Sequence, residues 1–313
     1  MKIAMIGAGF ANQHLQVLVK EPGVEIVGHV ARRPESAQAA AHKWGGRAYV
    51  DVDSLLESEQ VDAAWVCVPP GAHGEIEYAL LERNIPFFVE KPLSADRRTA
   101  EEIGEVIARK HAIVGVGYHM RAMDTLPEVR VALAEKPARM AVGQWHTTTP
   151  PPLWWRHQAT SGGQMVEQAT HLVDLARLLL GEGVLKGALA ARHERPRYPD
   201  ADVADTSAAL VEFPGATVGV FSATCVLAHS ASVHLQLMCE GLLITITQQS
   251  VTYDTGAVKR EVKIASDPVL IEDRAFLRAV ESGDPALLLS SYDDALKTHR
   301  LTHAILEAGG AAR

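Results

Sequence analysis

The sequence predicts an α/β fold in two parts. The first is a doubly wound parallel sheet, and the second is an α+β domain with a mostly antiparallel open sheet. Three observations carry this. Short apolar, β-branched runs alternate with helix-periodic segments through the first 120 residues. A glycine-rich turn follows the first apolar run. Beyond about residue 137 the rhythm changes to one strong helix and then a series of strand candidates. The length, 313 residues, suits two domains at roughly 150 residues each. The expected division is 1–120 for a dinucleotide-binding domain and 121–313 for a substrate-binding and oligomerisation domain, with the C-terminal helices free to pack back on the first.

The elements follow in order. Lys2–Ile6 is a short apolar strand, and Ala11–Lys20 has helical spacing before the stop Glu21-Pro22-Gly23. Strand Glu25–Val30 precedes an Ala-rich helix, Glu35–Trp44, that stops at Gly45-Gly46. Val61–Val68 is an apolar strand halted by Pro69-Pro70. Helix Glu75–Arg83, strand Pro86–Glu90, helix Asp96–Lys110 and strand Ala112–Tyr118 complete the rhythm. Buried strands between helices are the signature of a parallel sheet. In the second part a helix is expected over Gln164–Leu180, ending at Gly181. Strands are expected at Ala204–Phe213, Thr217–Val226 and Val233–Thr247, with a turn at Pro214-Gly215. Helices near Ile271–Glu281 and Asp293–Ala308 close the chain.

Composition narrows the function classes. Hydrophobic residues at 47% and charged residues at 22% are those of a globular chain, neither disordered nor collagen-like. The net charge of −8 gives no general attraction to nucleic acid or anionic lipid, and neither partner is expected. Cys67, Cys225 and Cys239 are far apart and form no CxxC, so a reducing cytoplasm is expected, with no disulfide frame and no zinc site. No apolar run is long enough for a spanning helix. Lys2 before Ile3-Ala4-Met5-Ile6 has the opening order of a signal peptide. Gly7 and Gly9 break the run, and a buried strand is the better expectation.

Gly7-Ala8-Gly9-Phe10-Ala11-Asn12 lies between a strand and a helix. There the first glycine makes a tight turn and the second lets the backbone approach a pyrophosphate at the helix N-terminus. Asn12 stands where a third glycine would complete the fingerprint. An acid reading the ribose is expected at the tip of the second strand, but the residues there are Ala31, Arg32 and Arg33. The arginine forks suit a 2′-phosphate, which favours NADP and leaves NAD possible. Solvated loop charges are the plainer reading of the pair.

Taken together these segments resemble the Gfo/Idh/MocA family, the glucose–fructose oxidoreductase and inositol dehydrogenase relatives, over nearly the whole chain. The glycine loop with His14, the run Val68-Pro69-Pro70-Gly71-Ala72-His73, the triplet Glu90-Lys91-Pro92, the run Gly117-Tyr118-His119-Met120-Arg121, and Gly162-Gly163 through Glu167, His171 and Asp174 carry the resemblance. It implies a Rossmann domain, a nicotinamide cofactor, dimers or tetramers, and a cis Pro92. It also implies that Val68, Pro69, His73, Glu90, Lys91 and Arg121 lie on the cofactor side, and that Tyr118 and His119 lie near the substrate. Asn12, Ala31 and Glu167 depart from the family pattern, Glu167 standing where many members carry aspartate.

Lys91 follows the fifth strand at the carboxyl end of the sheet, where open α/β folds bind ligands. Its ammonium can stabilise charge developing on a substrate oxygen. Glu167, His171 and Asp174 fall at i, i+4 and i+7 of the expected helix and share a face. His171 is the acid–base candidate, and Glu167 would orient it or hold a hydroxyl. A buried core histidine and a structural Asp174 are the bland alternatives. Trp154, Trp155 and Arg156 stand just upstream, where an aromatic wall suits a sugar ring or a nicotinamide. Glu167 and His171 also have metal-ligand spacing, but His146 and His157 bring no second spaced pair, and no metal is expected. The expected activity is an NAD(P)-dependent oxidoreductase moving a hydride to or from a CH–OH carbon of a sugar, inositol or sugar derivative. A nicotinamide-dependent glycosidase with tightly bound cofactor and a non-catalytic NADP-binding sensor are the alternatives.

Overall fold

The computed structural model describes residues 1–310 and divides them into two compact units. The first unit comprises Met1–Ser94, Arg98–His119 and Pro268–Leu296. Its six-stranded sheet is parallel and runs β3-β2-β1-β4-β5-β6. The strands are β1 (Lys2–Ile6), β2 (Glu25–Val30), β3 (Arg47–Tyr49), β4 (Ala63–Val66), β5 (Phe87–Val89) and β6 (Val114–Val116). Between them lie α1 (Ala11–Leu18), α2 (Pro34–Trp44), α3 (Val52–Ser58), α4 (Glu75–Glu82) and α5 (Arg97–Lys110). This is the strand order of a dinucleotide-binding sheet, with its topological switch between β1 and β4. Strands β1, β4 and β5 are buried almost throughout, with apolar clusters on both faces of the sheet. That is why they read as continuous apolar runs.

The second unit holds Ala95–Arg97, Met120–Asp267 and the chain from Lys297. It contains α6 (Leu126–Glu135), β7 (Ala138–His146), α7 (Gln158–Ser161), α8 (Gln164–Glu167), α9 (Thr170–Leu180) and β8 (Val184–Ala191). There follow β9 (Thr206–Phe213), β10 (Thr217–Thr224), β11 (Ser232–Cys239), β12 (Leu242–Ile246), β13 (Ser250–Asp254) and β14 (Lys259–Lys263). The sheet order is β14-β13-β12-β11-β7-β10-β9-β8. All neighbours are antiparallel except β7 and β10. Helix α9 supplies Leu172, Val173, Leu175 and Ala176 to the core against the sheet. The helices α10 (Pro268–Ser282) and α11 (Tyr292–Gly309) end the described chain, and α10 packs on α1 in the first unit.

Two expectations change. The helix over 164–180 is two helices. Gln164 O accepts from both Gln168 N and Ala169 N, at 2.9 and 3.0 Å, and this wide turn separates α8 from α9. The Gln164 side chain is meanwhile drawn to Thr224 O at 3.1 Å and Gln168 Oε1 at 3.1 Å. The strand over 233–247 is a hairpin, because Gly241, at φ +68°, turns the chain between β11 and β12. Strand β3 and helix α3 carry no periodic apolar signal strong enough to announce them: β3 is three residues, mostly exposed.

Candidate functional site

The glycine loop leaves the carboxyl end of β1 at the switch point. Gly7 has φ +115°, and a Cβ there would lie 2.1 Å from Cys67 O. No other residue fits, because the turn needs both the positive φ and the missing side chain. Gly9 is different: nothing lies within 4 Å of its would-be Cβ, so open space faces the backbone. Asn12, in place of a third glycine, has a structural use. Its Nδ2 donates to Ala8 O at 2.9 Å and Gly9 O at 3.3 Å, while its Oδ1 accepts from Trp44 Nε1 at 3.1 Å. The side chain thereby ties the loop to α2. Phe10 and Ala11 open α1, so helix N–H groups and an open glycine face the same turn. This cradle fits a dinucleotide phosphate. Ala31 is buried at the end of β2, and Arg32 and Arg33 beside it are exposed and meet no carboxylate among the described residues.

The turn after β4 carries Val68 and Pro69, both part-exposed. His73 is held by Glu77, Nδ1 to Oε1 at 2.5 Å, while Gly74 N donates to the same carboxylate at 2.7 Å. The His73 ring thus helps close the start of α4.

The end of β5 is fixed by a buried chain of polar groups. Glu90 Oε1 lies 3.1 Å from His14 Nε2, and His14 Nδ1 lies 2.8 Å from Asp273 Oδ1. Trp65 Nε1 donates to the same Asp273 oxygen at 2.9 Å. His14 and Asp273 are fully buried and Glu90 nearly so. Burial opposes charge on the His14 ring, but the Asp273 carboxylate overrides it, and the His14 pKa stands well above the usual imidazole value. Burial raises the Asp273 pKa. Gly117 makes room for this arrangement, since a Cβ there would meet Glu90 Oε1 at 2.2 Å. Lys91 follows Glu90 directly and is part-exposed, and the Lys91–Pro92 peptide is cis. Burial lowers the His119 pKa, while Tyr118 is packed into the apolar core.

His14, Glu90 and Glu272 bring ligand atoms within 4.8 Å of one another. Both His14 ring nitrogens already face carboxylate oxygens, Asp273 on one side and Glu90 on the other, so the cluster reads as a hydrogen-bonded chain rather than a metal seat.

In the second unit, His171 is buried on α9 and stacks on Trp145, with centroids 5.9 Å apart and planes at 20°. Glu167, on α8, accepts from Trp155 Nε1 at 2.7 Å. Trp155 is buried, and Trp154 packs part-exposed beside it. Asp174 is engaged structurally: Arg121 donates to it twice, at 2.7 and 2.6 Å, and Thr298 Oγ1 donates at 2.7 Å. Arg121, expected on the cofactor side, thus has its guanidinium committed to Asp174. Arg156 lies 3.5 Å from Asp200 and its guanidinium 4.8 Å from the Tyr198 ring.

Sequence reasoning missed Asp273 and Trp65, which complete the chain to Glu90. Their only signal was an acid in the charged triplet Glu272-Asp273-Arg274 between apolar residues of one helical segment and a tryptophan inside a buried strand.

Two models of one family match the chain. Residues 1–118 match the oxidoreductase family with NAD-binding Rossmann fold, and residues 137–244 match the Gfo/Idh/MocA C-terminal domain. The chain belongs to the Gfo/Idh/MocA oxidoreductase family. It is 25% identical over 230 residues to a myo-inositol 2-dehydrogenase of Thermotoga maritima, covering 70% of this chain and 67% of that one. Its fold is similar to a 3-ketoreductase of Actinomadura kijaniata solved with NADP and TDP-benzene. The TM-score there is 0.86 at 21% identity, covering 98% of this chain and 97% of that one. A protein from gentamicin A biosynthesis solved with NAD gives a TM-score of 0.84 at 20% identity, covering 100% and 95%. As a Gfo/Idh/MocA member the chain is an NAD(P)-dependent oxidoreductase acting on CH–OH groups.

Proposed function

We propose that this family member is an NADP-preferring oxidoreductase acting on a hydroxyl or carbonyl carbon of a sugar, inositol or sugar derivative. The observation that carries the reading is Lys91 set by a buried ion-pair chain at the carboxyl edge of a sheet whose glycine loop is open to a dinucleotide. The inositol dehydrogenase and sugar ketoreductase among its relatives support the substrate class. Gly7, Ala8, Gly9, Phe10, Ala11 and Asn12 would hold the pyrophosphate, with Val68, Pro69 and His73 alongside. Arg32 and Arg33 would grip the 2′-phosphate, and Ala31 leaves space there where an acid would repel it. When bound, the nicotinamide supplies the hydride donor or acceptor.

The protein's own residues do the rest. Lys91 donates a hydrogen bond to the substrate oxygen and stabilises negative charge there. His171 takes or returns the hydroxyl proton, since imidazole titrates near neutrality. Glu167, fixed by Trp155, holds a substrate hydroxyl or orients His171. His119 and Trp154 complete the substrate side, and Trp155 and Arg156 the cofactor side, while Tyr118 stays packed in the apolar core.

We place the protein in the cytoplasm as a homodimer or homotetramer. Three free thiols support a reducing compartment. One face of the eight-stranded sheet carries Leu210 and Val218, both exposed, beside Val142 and Val220, and this stripe suits a second copy. A screen of sugars, polyols and inositols with both cofactors, read at the nicotinamide absorbance, tests the function. The reading requires stoichiometric conversion of free cofactor. Cleavage of a glycosidic bond with no net cofactor change would instead indicate a nicotinamide-dependent glycosidase.

A further inference from the structure

A cavity of about 730 Å³ opens in the second unit, lined by Thr149, Arg156, Arg195, Arg197 and Tyr198 among others. Its size falls in the range of small-molecule sites, roughly 300–1,000 Å³. Three guanidinium groups converge on one ring there. Arg156, Arg195 and Arg197 lie 4.8, 5.3 and 5.6 Å from the Tyr198 centroid. Like charges gathered this closely repel unless anions stand among them. Asp200 offsets Arg156 at 3.5 Å, so Arg156, placed on the cofactor side above, is not one of the anion's ligands, and the binding falls to Arg195 and Arg197. Arg195 has only neutral acceptors: its Nη1 donates to Thr149 Oγ1 at 2.7 Å and Cys225 Sγ at 3.3 Å. Its Nη2 is buried with no hydrogen-bond partner. Neither Arg195 nor Arg197 forms an ion pair among the described residues, although Glu194 also lines the cavity.

We propose that this cavity is an anion site that takes the diphosphate of an organic substrate. Planar guanidinium forks bind phosphate oxygens bidentately, and two of the three here lack a counter-charge. The volume leaves room beyond one phosphate for the rest of a larger molecule. Thr149 is already turned to Arg195 and fixes the guanidinium beside the cavity wall, which preorganises one fork. The assignment of the ligand as substrate rests on the oxidoreductase reading above. The anion site itself does not.

The test is calorimetric titration of the whole chain, first without cofactor and then with NADPH saturating, using uridine diphosphate and inorganic pyrophosphate as probes. Saturable binding of uridine diphosphate is expected, weaker at raised salt. Arg195→Gln and Arg197→Gln should each weaken it about ten- to a hundredfold, the weight of one charge-assisted hydrogen bond. Arg197 is exposed, so its variant keeps the test open if Arg195→Gln fails to fold. NADPH affinity, measured separately on each variant, should not change. Failure of both probes to bind at millimolar concentration would overturn the site, as would wild-type binding by both variants. Displacement of uridine diphosphate by NADPH would assign the cavity to the cofactor's phosphates and overturn the substrate assignment. If NADPH binds and turns over while uridine diphosphate does not bind, this proposal fails and the oxidoreductase reading stands.

Discussion

His14 Nδ1 lies 2.8 Å from Asp273 Oδ1, both fully buried, although 259 residues separate them in the chain. The pair joins the helix after the glycine loop to α10, and through Glu90 it reaches the residue before Lys91. Removing one partner leaves a buried charge alone, which costs about 3–5 kcal/mol. Asp273→Asn should therefore lower the urea midpoint by a corresponding amount. Equal midpoints would show that the pair is not charged.

The same pair gives a pH dependence with a definite sign. The His14 pKa is raised in the folded protein. Its stabilisation is complete below the unfolded value of about 6.5, and it drains away as pH rises through the raised value. The stability gap between wild type and Asp273→Asn should be widest near pH 6 and narrow on the alkaline side. A gap that widens with pH would contradict the protonated state of His14.

Two glycines in one loop should behave differently. Gly7→Ala drives a Cβ into Cys67 O, so it should lower both stability and cofactor affinity. Gly9→Ala meets open space and should leave the melting temperature near wild type while weakening NADPH binding. Thermal melts beside fluorescence titration separate the two. Undiminished NADPH binding by Gly9→Ala would remove the loop from the cofactor site.

Cofactor choice is read at the tip of β2. Arg32→Ala/Arg33→Ala should weaken NADPH binding far more than NADH binding, by about 1.5–3 kcal/mol for each charge-assisted hydrogen bond lost. Tighter binding of NADH than NADPH by wild-type protein would reverse the assignment.

Periodicity made the parallel sheet legible because β1, β4 and β5 are buried on both faces and read as apolar runs. Strand β3 was hidden because an exposed edge strand of Arg47, Ala48 and Tyr49 needs no apolar pattern. The hairpin at Gly241 was hidden inside a long apolar stretch. The placement of Lys91, His171 and Glu167 as candidates came from residue types and resemblance. The break between Glu167 and His171 did not, since it accompanies a reach of Gln164 from α8 to Thr224 on β10, a contact 60 residues away in sequence. Asp273 was invisible for the same reason: its importance lies in a contact far away in sequence.

The central claim is that Lys91 and His171 do the chemistry on a substrate carbon while other residues hold the cofactor. Steady-state kinetics of Lys91→Met and His171→Ala, on the substrate found by the screen, tests it most directly. His171→Ala should lower kcat by about 10²–10⁴ and remove a limb of the pH–rate profile near neutrality. Lys91→Met should lower kcat by a comparable or larger factor. Neither change should unfold the protein or abolish NADPH binding. Turnover near the wild-type rate in either variant would contradict the account.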